Sequence, residues 1–219
     1  MTNAAAELLA SKPNVLLDFD GPVCSVFGGV GADTVARQLR ERLGLSERHS
    51  AEVRDPFEIL RYAAAEGHRE AVDAERELTK LEVHAIASAT PTPYSAELLQ
   101  RLTDRGQRIV IVSNNSASAV RAYLNQHGLT ALVNDVSART DADPTLLKPS
   151  SHLLHQAIEQ LGTTSERCVM IGDSITDIDA AWASGVAIIA YANKSTKQDQ
   201  FARHAPSTVV TDLYSLIAT

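Results

Sequence analysis

Asp18 and Asp20 stand two residues apart after the apolar run Val15-Leu16-Leu17, with Phe19 between them and Gly21 behind. Ser113 and Asn114 follow a second apolar run, Ile109 to Val112, and Lys148 stands before Pro149. Asp173 and Asp177 follow a third run, Val169 to Ile171, across Gly172. Two acids on one strand exit can divide labour: one attacks an electrophile in its ionised form, while the other gives a proton to the leaving oxygen and later activates water. A hydroxyl with backbone N–H groups at a helix start suits phosphate oxygens. A lone ammonium offsets the repulsion between a carboxylate and an anionic substrate. Asp173 and Asp177, four apart across a loop-to-helix turn, join Asp18 in offering the hard oxygen ligands that suit Mg2+. The inventory is that for moving a phosphoryl group with a divalent metal.

Each signature alone has a plainer reading. Asp-x-Asp-Gly is also a polar strand exit, because Asp-Gly favours turns. Ser113 is also a helix N-cap, Lys148 a surface lysine, and Asp177 an acid favoured by a helix dipole. What separates the two readings is conjunction, since all four signatures fall at strand or helix boundaries in a fixed order.

The elements that must position them follow from apolar periodicity. Val15–Leu17, Ile109–Val112, Cys168–Ile171 and Val186–Ala190 are short continuous apolar runs, as expected of strands buried on both faces of a parallel sheet. Helical patterns alternate with them over Ser116–Gln126, Ser150–Leu161 and Ile175–Ser184, closed by Gly128, Gly162 and Gly185. The expected fold is a doubly wound, mostly parallel α/β sheet. Asp18 and Asp20 then lie at the carboxyl edge where such sheets bind ligands, with Phe19 pointing away.

Residues 26–90 interrupt this alternation with helical periodicity only. One helix is expected over Asp33–Leu43, stopping at Gly44; a second starts at Asp55-Pro56, an N-cap followed by proline; a third, long and charged, covers Arg69–Ala87. Tyr94–Asp104 is a core helix. The expected division is an α/β core of residues 1–25 and 91–219 with a small all-helical cap, 26–90, inserted after the first strand. Gly28, Gly29 and Gly31 suggest hinge-like crossings.

These four signatures, Val15–Gly21, Ile109–Asn115, Leu146–Pro149 and Val169–Asp177, resemble those of the haloacid dehalogenase superfamily, over roughly residues 14–23 and 91–219. The helical insert resembles the cap of its phosphoglycolate phosphatase-like branch. The resemblance implies that Asp18 is a nucleophile forming an aspartyl-phosphate and Asp20 the general acid and base. It further implies that Ser113 and Lys148, with Asn114 beside them, bind the phosphoryl group. Asp173 and Asp177 would hold Mg2+ together with Asp18 and the Asp20 backbone carbonyl. Pro22 departs from the family, which usually has threonine there, and removes a hydroxyl and an N–H beside the nucleophile. The expected activity is Mg2+-dependent hydrolysis of a small phosphorylated metabolite. Alternatives are a phosphomutase, a dehalogenase, which Asp20 and the further acids disfavour, or a binding protein without turnover.

With 219 residues, 44% of them hydrophobic, the chain can build a sizeable core. A net charge of -7 argues against general nucleic-acid binding. No apolar run approaches the roughly 20 residues that span a bilayer, and the start lacks a basic segment before its apolar residues, so no membrane, no signal peptide and a cytoplasmic location are expected. Cys24 and Cys168 form no metal or disulfide pattern, and Cys24 reads as a small buried side chain. His49, His84, His127, His152, His155 and His204 lack metal spacing. Arg37, Arg40, Arg54, Arg61 and His68 are the insert's candidates for reading a second anionic group, with Phe27 and Tyr62 as packing residues.

Overall fold

Val15, Leu17, Ile109, Ile111, Val169, Ile171 and Ile189 face one apolar cluster, while Leu16, Val110, Val112, Met170 and Ile188 face another. Successive strand residues point to opposite sides, so a sheet covered on both faces needs apolar residues at every position. That is the reason these runs are continuous rather than alternating.

The computed structural model describes residues 4–45 and 53–218. Helix α1 (Ala4–Ala10) precedes β1 (Asn14–Leu17) and a short strand β2 (Cys24–Ser25). Among the described residues α2 (Ala32–Leu43), α3 (Pro56–Glu66) and α4 (His68–Ile86) follow, before β3 (Thr90–Pro91) and α5 (Ser95–Asp104). The remainder alternates: β4 (Arg108–Ser116), α6 (Ala117–Gln126), β5 (Asp135–Arg139), α7 (His152–Gln160), β6 (Cys168–Gly172), α8 (Ile175–Ala183), β7 (Ala187–Tyr191), α9 (Ser195–Ala202), β8 (Thr208–Val210) and α10 (Tyr214–Ile217).

Six strands form one parallel sheet in the order β5-β4-β1-β6-β7-β8. The fold is the doubly wound α/β class, and the described part of the insertion after the first strand is helical. Because β1 is flanked by β4 and β6, the three exits carrying Asp18, Ser113 and Asp173 are neighbours at one edge. Strand order reverses there, which is where such sheets bind ligands. Lys148 reaches the same edge from the loop between β5 and α7.

The expected helix ends fall where backbone chemistry puts them. Gly44 closes α2 in the left-handed region, and Asp55 opens α3 by accepting from the Phe57 N–H at 2.9 Å, with Pro56 at the first helical position. The glycine-containing crossing differs from a free hinge: Cys24 and Ser25 pair with Pro91 and Thr90 in a two-strand ribbon, joining the outgoing and returning chain. A Cβ at Gly29 would run into Ser88, so that glycine serves close approach. Val35, Leu39, Ile59, Leu60 and Leu78 of the inserted helices belong to the same apolar cluster as Val15 and Ile111.

Candidate active site

Lys148 is 3% exposed, and its Nζ donates to Asp18 Oδ1 at 2.7 Å, Asp177 Oδ1 at 2.5 Å and the Val112 carbonyl at 3.1 Å. Burial alone would push its ammonium down, but the Asp177 and Asp18 charges outweigh it and hold the proton well above the usual lysine range. The backbone of Lys148 is fixed as well. Asn114 donates to its carbonyl at 3.1 Å and accepts from its N–H at 2.8 Å.

Asp18 is buried, and burial followed by the Asp177 charge pushes its carboxyl well up, against the pull of Lys148. Asp20 has a different environment. Its Oδ1 accepts from the Val26 N–H at 2.9 Å, and burial pushes it up to about 6, so it can hold or release a proton near neutrality. Phe19, between them, is buried edge-to-face on Tyr123 at 5.3 Å between ring centroids, which turns the two acids to one side.

Asp177 is fully buried. Its Oδ2 accepts from the Asp173 and Ser174 N–H groups at 3.1 and 3.0 Å and from Ser174 Oγ at 2.6 Å, in a capping box that starts α8. Asp173 Oδ2 accepts from Asn193 at 2.9 Å and from Lys197 at 2.5 Å. Burial pushes Asp173 up, and Lys197 counteracts it. Asp18, Asp173 and Asp177 each offer an oxygen within 4.8 Å of the others, the only such group among the described residues. The donor set, all hard oxygens with crowded negative charge, fits a divalent ion such as Mg2+.

A cavity of about 190 Å³ opens over this group. Asp18, Asp20, Ser113, Asn114, Lys148 and Asp173 line it, whereas Asp177 lies behind the wall. From α3 and its start come Asp55, Phe57 and Arg61. Ser113 Oγ accepts from the Asn115 N–H at 3.1 Å and donates to Asn115 Oδ1 at 3.3 Å. Gly21, at φ +116°, brings the loop so close to Asp173 that a Cβ would collide with that carboxylate. The loop's backbone bonds are made by the N–H groups of Gly21, Val23 and Cys24, so Pro22 costs none of them. Thr92, on the returning chain, donates its hydroxyl to the Gly21 carbonyl at 2.5 Å.

Of the insert's other basic candidates, Arg37 pairs with Glu41 at 3.2 Å and Arg40 donates to the Val53 carbonyl at 2.8 Å. Arg54 and His68 are exposed, and neither lines the cavity. Phe27 is buried and Tyr62 half-buried. His84, His127, His152 and His155 lie on the surface, and His204 meets Asp179 at 3.0 Å; His49 lies outside the described residues. Cys24 is buried beside Asp20, and burial pushes its thiol up, leaving no thiolate at neutral pH. Asn193 and Lys197 escaped sequence reading. The available signal was position, because Asn193 follows the carboxyl end of β7.

Acids, a hydroxyl and a buried lysine gathered at one switch point of a doubly wound sheet define an α/β protein with a site suited to an anionic group and a cation. A family model described as haloacid dehalogenase-like hydrolase matches residues 14–185, and the chain belongs to that family. The phosphoglycolate phosphatase of Aliivibrio fischeri is 34% identical over 94 residues, covering 42% of this chain and 40% of that protein. The one from Rhodospirillum rubrum is 31% identical over 104 residues, covering 48% and 42%. The match therefore spans less than half the length of these curated relatives. A putative haloacid dehalogenase-like hydrolase from Bacteroides fragilis shares the fold at a TM-score of 0.75 and 22% identity, over 94% of this chain and all 100% of that one. CbbY from Rhodobacter sphaeroides in complex with phosphate does so at 0.70 and 20%, over 94% and 99%. No described helix is long and apolar enough to cross a membrane.

Proposed function

We propose that this chain is a Mg2+-dependent phosphatase that hydrolyses a small phosphorylated metabolite through an aspartyl-phosphate on Asp18. The observation that carries this reading is the Lys148 ammonium shared between Asp18 and Asp177 under a cavity that Asp20 and Ser113 also line. Asp18, as the carboxylate that Lys148 and a bound cation together would favour, attacks phosphorus, and the bond to the leaving oxygen breaks as Asp20 gives that oxygen its proton. Water then attacks the aspartyl-phosphate, Asp20 takes the water's proton, and Asp18 is regenerated with release of inorganic phosphate. Ser113 and Lys148 bind the phosphoryl oxygens and offset their charge. Asp18, Asp173 and Asp177, whose oxygens lie within 4.8 Å of one another, would hold Mg2+ with the Asp20 carbonyl, and Asp177 also orients Lys148 through its other contact. The ion when bound neutralises phosphoryl charge.

The test is inorganic phosphate release from 2-phosphoglycolate and a panel of phosphorylated sugars and acids, with Mg2+ and with EDTA. Turnover on a few compounds that is lost with EDTA is the expected result. An isomeric phosphate ester in place of free phosphate would assign a mutase, and equal rates with EDTA would remove the metal.

The relatives' name supports a substrate that carries a second anion, and Arg61 is the one cation that the inserted helices place on the cavity wall among the described residues. Arg61→Ala is expected to raise KM for such a substrate by roughly 10- to 100-fold with kcat little changed, since a charge-assisted hydrogen bond contributes about 1.5–3 kcal/mol. An unchanged KM would exclude Arg61 as the reader of the leaving group.

A further inference from the structure

Strand β4 is longer than its partner near the site. Ser113 pairs with Ala138 and Ser116 with Arg139, so Asn114 and Asn115 loop out between them. Such a bulge re-aims side chains beside a site but takes polar groups out of the ladder. Two buried side chains meet those groups. Glu82, from inserted helix α4, accepts from the Ser116 N–H at 2.9 Å and from the Asn115 amide at 3.1 Å. Arg139 donates through Nε to the Asn114 carbonyl at 3.1 Å and pairs through Nη2 with Glu82 at 2.5 Å and through Nη1 with Glu75 at 2.8 Å. The Arg139 and Glu82 side chains are 1% and 0% exposed. Asn115, held by Glu82, is the residue that fixes the Ser113 hydroxyl at both of its bonds.

A buried ion pair often stabilises a fold no more than apolar residues of the same volume would. What this one specifies is geometry. We infer that Glu82 and Arg139 are positioning residues: through Asn115 they set the Ser113 hydroxyl toward the cavity. Because Glu82 belongs to the insertion, they also tie the helical insert to the phosphoryl-binding loop. The inference rests on the reading of Ser113 given above. Neither residue lines the cavity, so each acts through the bulge.

The test compares wild type with Glu82→Gln, which keeps the size and loses the charge, and with Glu75→Gln, which touches Arg139 but not the bulge. Readouts are kcat and KM for 4-nitrophenyl phosphate with Mg2+, calorimetric affinity for inorganic phosphate, and thermal midpoint. Glu82→Gln is expected to lower kcat on the order of 10- to 100-fold, as misplacement of a binding group does, and to weaken phosphate binding. Glu75→Gln should keep kcat within about twofold, because Glu75 meets Arg139 and Thr79 but no group of the bulge, and Arg139 keeps Glu82 and the Asn114 carbonyl. Should Glu82→Gln fail to fold, the double variant Glu82→Met with Arg139→Met removes both charges together and is expected to fold with the same loss of kcat. Folded variants with wild-type kcat and phosphate affinity, whatever their thermal midpoint, would overturn the inference alone. A wild type that neither turns over nor binds phosphate would overturn the phosphatase reading and this inference with it.

Discussion

Asp18→Asn is expected to lower phosphate release by at least about 10³-fold while leaving the fold intact, because it replaces the anionic nucleophile with a neutral, far less nucleophilic amide of the same shape. The amide keeps an oxygen able to accept the Lys148 bond, and Lys148 retains Asp177 and the Val112 carbonyl. Stability is expected to hold or rise in metal-free buffer. Asp18 shares its surroundings with Asp173 and Asp177, all within 4.8 Å oxygen to oxygen, and removing one of three carboxylates relieves their repulsion. Phosphate release and a circular-dichroism melt on the same preparation measure both quantities. Retained turnover by a folded variant would dismiss Asp18 as nucleophile.

Lys148→Met should damage stability and turnover together. The lysine is the counterion for two buried carboxylates, and its removal leaves Asp18 and Asp177 facing each other without compensation. Removing one partner of a buried pair costs about 3–5 kcal/mol. For a chain of this size that corresponds to a midpoint lower by roughly 6–20 °C. Turnover should fall by about 10²–10³-fold, because the positive charge that meets the phosphoryl group is gone. Added Mg2+ is expected to restore part of the lost stability, since it supplies charge among the same carboxylates, but not the rate. A variant as stable as wild type in EDTA would show that the two ion pairs carry no net stabilisation.

Legibility in the sequence followed burial and motif density. β1, β4, β6 and β7 were readable because both faces of the sheet are covered, which forces apolar residues at every position. β5 was missed because Asp135–Arg139 holds polar residues on the sheet's edge: Ser137 is buried on the Leu153 carbonyl at 2.7 Å, and Arg139 on Glu82. α9 was missed because Phe201 is its one buried residue, which leaves no periodicity. The ribbon β2/β3 is two residues per strand, below any pattern. Glu82 read as one charge on a long charged helix, and its burial depends on Arg139, which is distant in sequence. The site's acids were readable because each closes an apolar run. Lys197 was not, since a lysine within a polar helix carries no mark of the aspartate it will meet.

The position of β1 also has a consequence for how the chain reaches this state. The strand that leads into Asp18 is synthesised before both of its partners, so its two edges stay open until β4 and then β6 arrive, the latter only when the ribosome has passed Gly172. Parallel pairings across such separations close large loops before they gain contacts, and they form slowly. Until then Val15–Leu17 is an apolar segment with unpaired backbone on both sides, the kind of edge on which nascent chains aggregate. The same central placement that gathers the acids at one switch point thus makes the site wait for β6, most of the chain after β1, and its geometry a late reporter of folding.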